Sequence, residues 1–299
     1  MRPPEALSAS AISLYLTCSL KYRFQYVDRI PKPWQPAALA FGSSVHIAIE
    51  WFHRQRLLGT TPELGHVLEL FDEDWRGQRK DVLIFSERED GDALARKGRE
   101  MLRLYVSEAA LSQQPAAVED PFEVELADPE SGEILEVTLR GIVDLVEEDG
   151  TLVDFKTAGR SFDAGTLERH LQLSAYALAY LLLYGVIPPL RLDVLLKTTK
   201  PRFERLPASR TLPELSWAAQ LIRGVWEAIQ TEHFFPNPSW RCGECEYFAH
   251  CQRWRGEEPQ RHQLISIAGS GGGAGESVGA DGLIRSRRVL SGATDGSLK

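Results

Sequence analysis

A chain of 299 residues, 43% apolar and 25% charged, is ordinary globular material, long enough for one large domain or two small ones. Its formal net charge of -8 has the wrong sign for coating nucleic acid through bulk electrostatics, although it leaves room for a local groove. No apolar run follows Arg2, so no secretory signal is expected. The setting inferred is cytoplasmic, where thiols stay reduced and clustered cysteines bind metal more often than they form disulfides.

From Ser8, apolar residues at helical spacing predict a first helix with Cys18 on it or at its end. A loop with Pro31, Pro33 and Pro36 follows. Ser43 or Ser44 is the expected cap of a helix running through His46 and Phe52 to Gly59, and further helices are expected over 63–79 and 87–112. The middle changes to period two. F-E-V-E-L, E-I-L-E-V-T-L-R, I-V-D-L-V-E and T-L-V-D-F-K read as strands of an antiparallel meander, with turns at Ser131-Gly132 and Asp149-Gly150. A helix over 165–184, a strand over 190–198, a hairpin partner near Phe203 and a helix over 213–232 complete an α/β arrangement, a sheet flanked by helices.

The charge-free run 173–190 is read as a buried helix and not as a membrane span, because Pro188-Pro189 ends it too soon. One domain is assigned to 1–262. Beyond it, 263–299 is rich in Gly, Ser and Ala and is expected to be a disordered tail, locally basic at Arg285, Arg287 and Arg288. The basic stretches Lys21 to Lys32 and Lys197 to Arg205 read most plainly as solvated surface.

Residues two apart in a strand share a face, so Asp154 and Lys156 point the same way. A carboxylate that holds a divalent cation, beside an ammonium that orients water or stabilises charge on a phosphorane, is what phosphodiester hydrolysis needs. The hairpin register decides whether Asp144 joins them. A two-residue loop would set it opposite Phe155, whereas a three-residue loop of Glu148-Asp149-Gly150, with glycine left-handed, sets it opposite Asp154; the second is the expectation. His46 is a candidate third ligand and would shift preference from Mg²⁺ toward Mn²⁺. Gln172 and Tyr176, four apart on a helix, share a face and are suited to hydrogen-bond a phosphate or the attacking water. Singly, each has a plainer reading: D-x-K as surface charge, His46 as a hydrogen-bonded helix residue, Tyr176 as core.

Together, Gly42-x-x-x-His46, Gly141-x-x-Asp144, Asp154-x-Lys156 and Gln172-x-x-x-Tyr176 resemble, in spacing and order, the RecB-type branch of the PD-(D/E)XK nuclease superfamily over about residues 8–255. The resemblance implies a restriction-endonuclease-like fold with a central mixed sheet. It implies His46, Asp144, Asp154 and the Phe155 carbonyl as ligands of Mg²⁺ or Mn²⁺, Lys156 as the catalytic lysine, and Gln172 and Tyr176 as supports. It also implies hydrolysis of DNA, with single-stranded ends as substrate and a 5′-phosphate product.

Cys18 stands alone, and Cys242, Cys245 and Cys251 cluster late in the chain. Four thiolates suffice for a 4Fe-4S cluster or a tetrahedral zinc, and local spacing does not separate the two. One early and three late cysteines resemble the iron-sulfur subgroup of this branch, which includes the AddB nuclease domain and CRISPR adaptation nucleases. That resemblance implies a structural cluster joining the N- and C-terminal segments, and a role in recombination and repair beside a helicase or in CRISPR spacer capture with an adaptation protein. The contrasting reading is a catalytically silent, zinc-stabilised module that binds DNA ends or a protein.

Overall fold

The period-two runs in the middle of the chain form a five-stranded sheet in the computed structural model, which describes residues 4–79, 82–86, 90–109 and 114–258. Two-residue strands β1 (Gln35–Pro36) and β2 (Leu83–Ile84) pair separately, in parallel. The main sheet consists of β3 (Pro115–Ala127), β4 (Ile134–Glu147), β5 (Leu152–Ala158), β6 (Leu190–Leu196) and β7 (Arg202–Ala208), neighbours in that order. All pairings are antiparallel except β5 with β6, whose parallel register requires a helical crossover. The sheet is therefore mixed, as expected.

Helices cover both faces. On one side α3 (Ala37–Leu57), α4 (Leu64–Gln78) and α5 (Gly91–Ala109) pack Phe41, Ile49, Phe71 and Leu102 against Val118, Leu145, Val153 and Phe155. On the other, α1 (Ala9–Thr17), the crossover helix α7 (Leu171–Tyr184) and α8 (Leu212–Gln230) cover Val143, Leu152, Leu192 and Val194. Burial of Leu173 through Ala179 explains why α7 is apolar all round. Among the described residues no helix is long and apolar enough to cross a membrane.

Three expectations need correction. The helix carrying His46 starts at Ala37, because Pro36 supplies the extended cap and Ala37-Ala38-Leu39-Ala40 are strong helix formers. Ser44 lies inside it, donating its hydroxyl to Asp74 of α4 at 2.5 Å with the Ala40 carbonyl 3.2 Å away. The helix expected over 165–184 is two, α6 (Ala164–Glu168) and α7, since Arg210 donates to the Leu167 and His170 carbonyls at their junction. The strands expected over 133–140 and 142–147 are one, β4, which starts at Ile134 and runs through Gly141 under the Phe122 ring, where a Cβ would stand 2.5 Å from Cζ. The tail at 263–299 and the outer ends of the helix expected over 87–112 lie outside the described residues.

The two ends of the domain meet beside α1. Short α2 (Ser19–Tyr22) continues into a π turn, and the Leu20 N–H donates to the Phe235 carbonyl at 3.0 Å. Ser19 makes a reciprocal pair with Phe235, its hydroxyl donating to the carbonyl and accepting from the N–H. Lys21 holds the buried Glu246 carboxylate at 2.6 Å, and Tyr247, just before α9 (Phe248–Trp254), donates to the Ile30 carbonyl. The joint that sequence assigned to a metal cluster carries, among the described residues, these hydrogen bonds and the ion pairs of Glu246 with Lys21 and, at 3.6 Å, with Lys32. Both basic stretches are engaged locally as well: Arg23 with Asp28, Arg202 with Glu204, and Arg205 with the Glu108 carbonyl.

Candidate active site

The site forms where β4 and β5 separate. Their ladder is short, Leu145 facing Val153 and Val146 facing Leu152, and it closes through Glu148, Asp149 and Gly150, the last at φ +83°. This is the three-residue loop, and carrying its register one step further puts Asp144 opposite Asp154. Another step would put Phe155 opposite Val143, but the strands diverge there and the Phe155 N–H donates to Asp144 Oδ2 at 2.7 Å. A backbone donor inside a protein must find an acceptor, and the carboxylate supplies it. The divergence also leaves the Ile142 carbonyl to accept from Tyr176 at 2.7 Å.

Around this gap the expected residues converge. His46 on α3 places Nε2 3.0 Å from Asp144 Oδ2. Lys156 Nζ lies 2.6 Å from Asp154 Oδ2 and 3.0 Å from Gln172 Oε1. Gln172 donates to the Tyr176 hydroxyl at 2.6 Å, and that hydroxyl also lies 3.4 Å from Asp154 Oδ1. Val153 and Phe155 point to the opposite face, into the α3–α5 core, as alternation requires.

One residue not singled out from sequence joins them. Glu119 on β3 stands across from Asp144 in the β3–β4 register and has φ +52°, a left-handed backbone that costs about 1–2 kcal/mol for a residue with a side chain. Its Oε1 is buried without a hydrogen bond, 3.8 Å from His46 Nδ1. His46, Glu119 and Asp144 offer ligand atoms all within 4.8 Å of one another. Asp154 is outside that trio and held by Lys156. No sequence signal marks Glu119, since the bend that aims it is a tertiary feature.

The electrostatics show carboxylates crowded in a dry place. Burial raises the Asp154 pKa to about 6, with Lys156 only partly offsetting it and Asp144 adding to it. Burial likewise raises Glu119, reinforced by the charge of Asp144. Burial opposes a charged His46 ring, yet its hydrogen bond to Asp144 and the charges of Asp144, Glu119 and Asp154 outweigh that and raise it. Tyr176 is pushed far above its ordinary value, by burial first and then by Asp154 and Asp144, so its hydroxyl stays a donor. The carboxylates of Glu119 and Asp144 repel each other, as the raised Glu119 pKa reflects, and a donor set of two carboxylates and an imidazole fits Mg²⁺ or Mn²⁺.

A mixed sheet between helices, with two carboxylates and a lysine where its strands part, groups side chains of the kind that metal-assisted hydrolysis uses. A model of the PD-(D/E)XK nuclease superfamily matches residues 6–252, and the chain belongs to that family. Among solved structures, one titled "Putative exonuclease" from Eubacterium rectale is similar in fold: 13% identity, 83% of this chain and 88% of that chain covered, TM-score 0.54. Another, SSO0001, is 13% identical, covering 82% of this chain and 95% of that chain, but its TM-score of 0.33 carries no argument. No curated protein matches the chain.

All four cysteines line one cavity of about 140 Å³ with Leu20, Phe24 and Tyr247. Among the described residues no three thiols lie within 4.8 Å of one another. Burial raises Cys245 and Cys251, against the pull of Lys21 and Arg255 respectively, so these thiols are protonated and any ligation releases protons.

Proposed function

We propose that this protein is a deoxyribonuclease dependent on Mn²⁺ or Mg²⁺ that degrades DNA from single-stranded ends. The observation that carries this reading is the convergence of Asp144, Asp154 and Lys156 at the β4–β5 gap, with His46 and Glu119 completing an acidic cradle. His46, Asp144, Asp154, the Phe155 carbonyl and Glu119 would hold the cation, which supplies Lewis acidity and lowers the pKa of bound water. Lys156 donates toward the phosphate oxygens or the attacking water, and Asp154 keeps its ammonium aimed. Gln172 fixes Lys156 from the other side. Tyr176 ties Gln172 to the Ile142 carbonyl, so the lysine cannot swing away. Exonuclease action agrees with the name of the structurally similar E. rectale protein, and recombination beside a helicase and CRISPR adaptation are the two roles implied by the resemblance.

For the cysteines the proposal is a 4Fe-4S cluster, with zinc as the alternative, because all four thiols line one cavity and the resemblance to the iron-sulfur subgroup implies it. Cys18, Cys242, Cys245 and Cys251 would ligate it, adding to a joint that hydrogen bonds already hold. Anaerobic purification with an absorption spectrum and iron and zinc analysis, followed by incubation with labelled single-stranded DNA and Mn²⁺, tests both parts. A brown, iron-bearing protein that cuts DNA is expected. A colourless zinc protein that cuts nothing would contradict the reading and return the silent-module alternative.

A further inference from the structure

A groove of about 480 Å³ runs along α1 from Gln172 to the cysteine segment, passing Ser10, Ser13, Thr17, Lys21, Asn237 and Arg241. Ser10, Ser13 and Thr17 are spaced three and four apart, so their hydroxyls form one stripe on the helix. In a chain of net charge -8, none of the described residues lining this groove is acidic, and Glu246, next to the lining residue Cys245, is paired with Lys21 and Lys32. At one end the groove shares Ala9, Ser10 and Gln172 with a hollow of about 660 Å³ bounded by Gly141, Ile142 and Tyr176, which also carries Arg140 and Glu123; of its lining, Gln172 touches Lys156 at 3.0 Å and Tyr176 lies 3.4 Å from Asp154. At the other end stands Trp240, 79% exposed, between the lining residues Ser239 and Arg241, with the Arg241 guanidinium 5.3 Å from its ring centre.

We propose that this groove seats a single strand of nucleic acid leading to the catalytic gap; the idea rests on the nuclease reading of that gap. Hydroxyls, an amide and two cations are donors suited to phosphate oxygens, and they carry no information about base identity. A large exposed aromatic ring with a guanidinium on it is a stacking platform for an unpaired base. The nine residues of α1 rise about 13 Å, room for roughly four stacked nucleotides at ~3.4 Å each. A duplex keeps its bases paired, so it offers Trp240 no free face to stack on.

The test compares wild type with the double variant Trp240→Ala/Arg241→Ala and, away from the cysteine segment, with Ser13→Glu. Affinity for a fluorescein-labelled oligothymidylate is measured in Ca²⁺, and Mn²⁺-dependent hydrolysis of bis(p-nitrophenyl) phosphate, too small to reach the groove, is measured separately. Each variant is expected to weaken oligothymidylate binding about tenfold, the loss of one stacked base or the gain of one repelling charge, with small-substrate hydrolysis unchanged. Unchanged affinity in both variants would overturn the proposal, as would equal competition by a blunt duplex. Failure of the wild type to hydrolyse the small substrate would instead count against the nuclease reading, and the binding arm would still decide the groove.

Discussion

Asp154 should destabilise the metal-free protein. Its carboxyl is fully buried and its pKa stands at about 6 against 3.8 for the free side chain. A carboxylate whose folded pKa is raised costs little below the unfolded value; its penalty grows as pH rises from the unfolded to the folded pKa and levels off above it. At about 1.4 kcal/mol per unit, the ionised side chain costs roughly 3 kcal/mol at pH 7, about half that at pH 5 and little at pH 4. Asp154→Asn removes the charge and keeps the shape. In chelator at pH 7 the variant should gain up to ~3 kcal/mol in urea unfolding, a rise of about 6–10 °C in melting temperature for a domain of this size. Addition of Mn²⁺ should then stabilise wild type and leave the variant nearly unmoved, since a ligand stabilises only the state that binds it. A variant no more stable than wild type at pH 7, or a gain that does not shrink toward pH 4, would refute the reasoning.

Glu119→Gln removes an anionic group from the trio it forms with His46 and Asp144, and should raise the Mn²⁺ concentration for half-maximal cleavage roughly ten- to hundredfold; an unchanged Mn²⁺ titration would remove Glu119 from the site. Tyr176→Phe deletes the hydroxyl linking Gln172, the Ile142 carbonyl and Asp154, and should lower the cleavage rate about tenfold with the Mn²⁺ requirement intact. Steady-state rates at saturating Mn²⁺ check it. Gly141→Ala drives a methyl into the Phe122 ring and should cost about 1–3 kcal/mol. Its urea midpoint should recover in part when Phe122 is shortened to Leu, and a Gly141→Ala midpoint equal to wild type would show that the strand moves freely there.

The convergence of the candidate residues was legible because it depends on local rules. Alternation along T-L-V-D-F-K set Asp154 and Lys156 on one face, and glycine at the end of E-D-G fixed the loop length that brings Asp144 opposite. Helical spacing alone put Gln172 beside Tyr176. What escaped the sequence depends on contacts distant in the chain. Glu119 reaches the site only through a left-handed bend in β3. The break between α6 and α7 is made by Arg210, some 40 residues later. The divergence of β4 from β5, which creates the gap, is a property of the whole sheet. Ser19 shows the same limit: its reciprocal hydrogen bonds with Phe235 join residues 216 apart.

The most direct measurement is cleavage of an end-labelled single-stranded oligonucleotide by wild type and Lys156→Ala, both purified anaerobically, matched in folding by circular dichroism, and supplied with Mn²⁺. Wild type should shorten the DNA to products bearing 5′-phosphates, and the variant should leave it intact. Equal cleavage by both proteins, or none by a folded, metal-loaded wild type, would contradict the assignment of this gap as a nuclease centre.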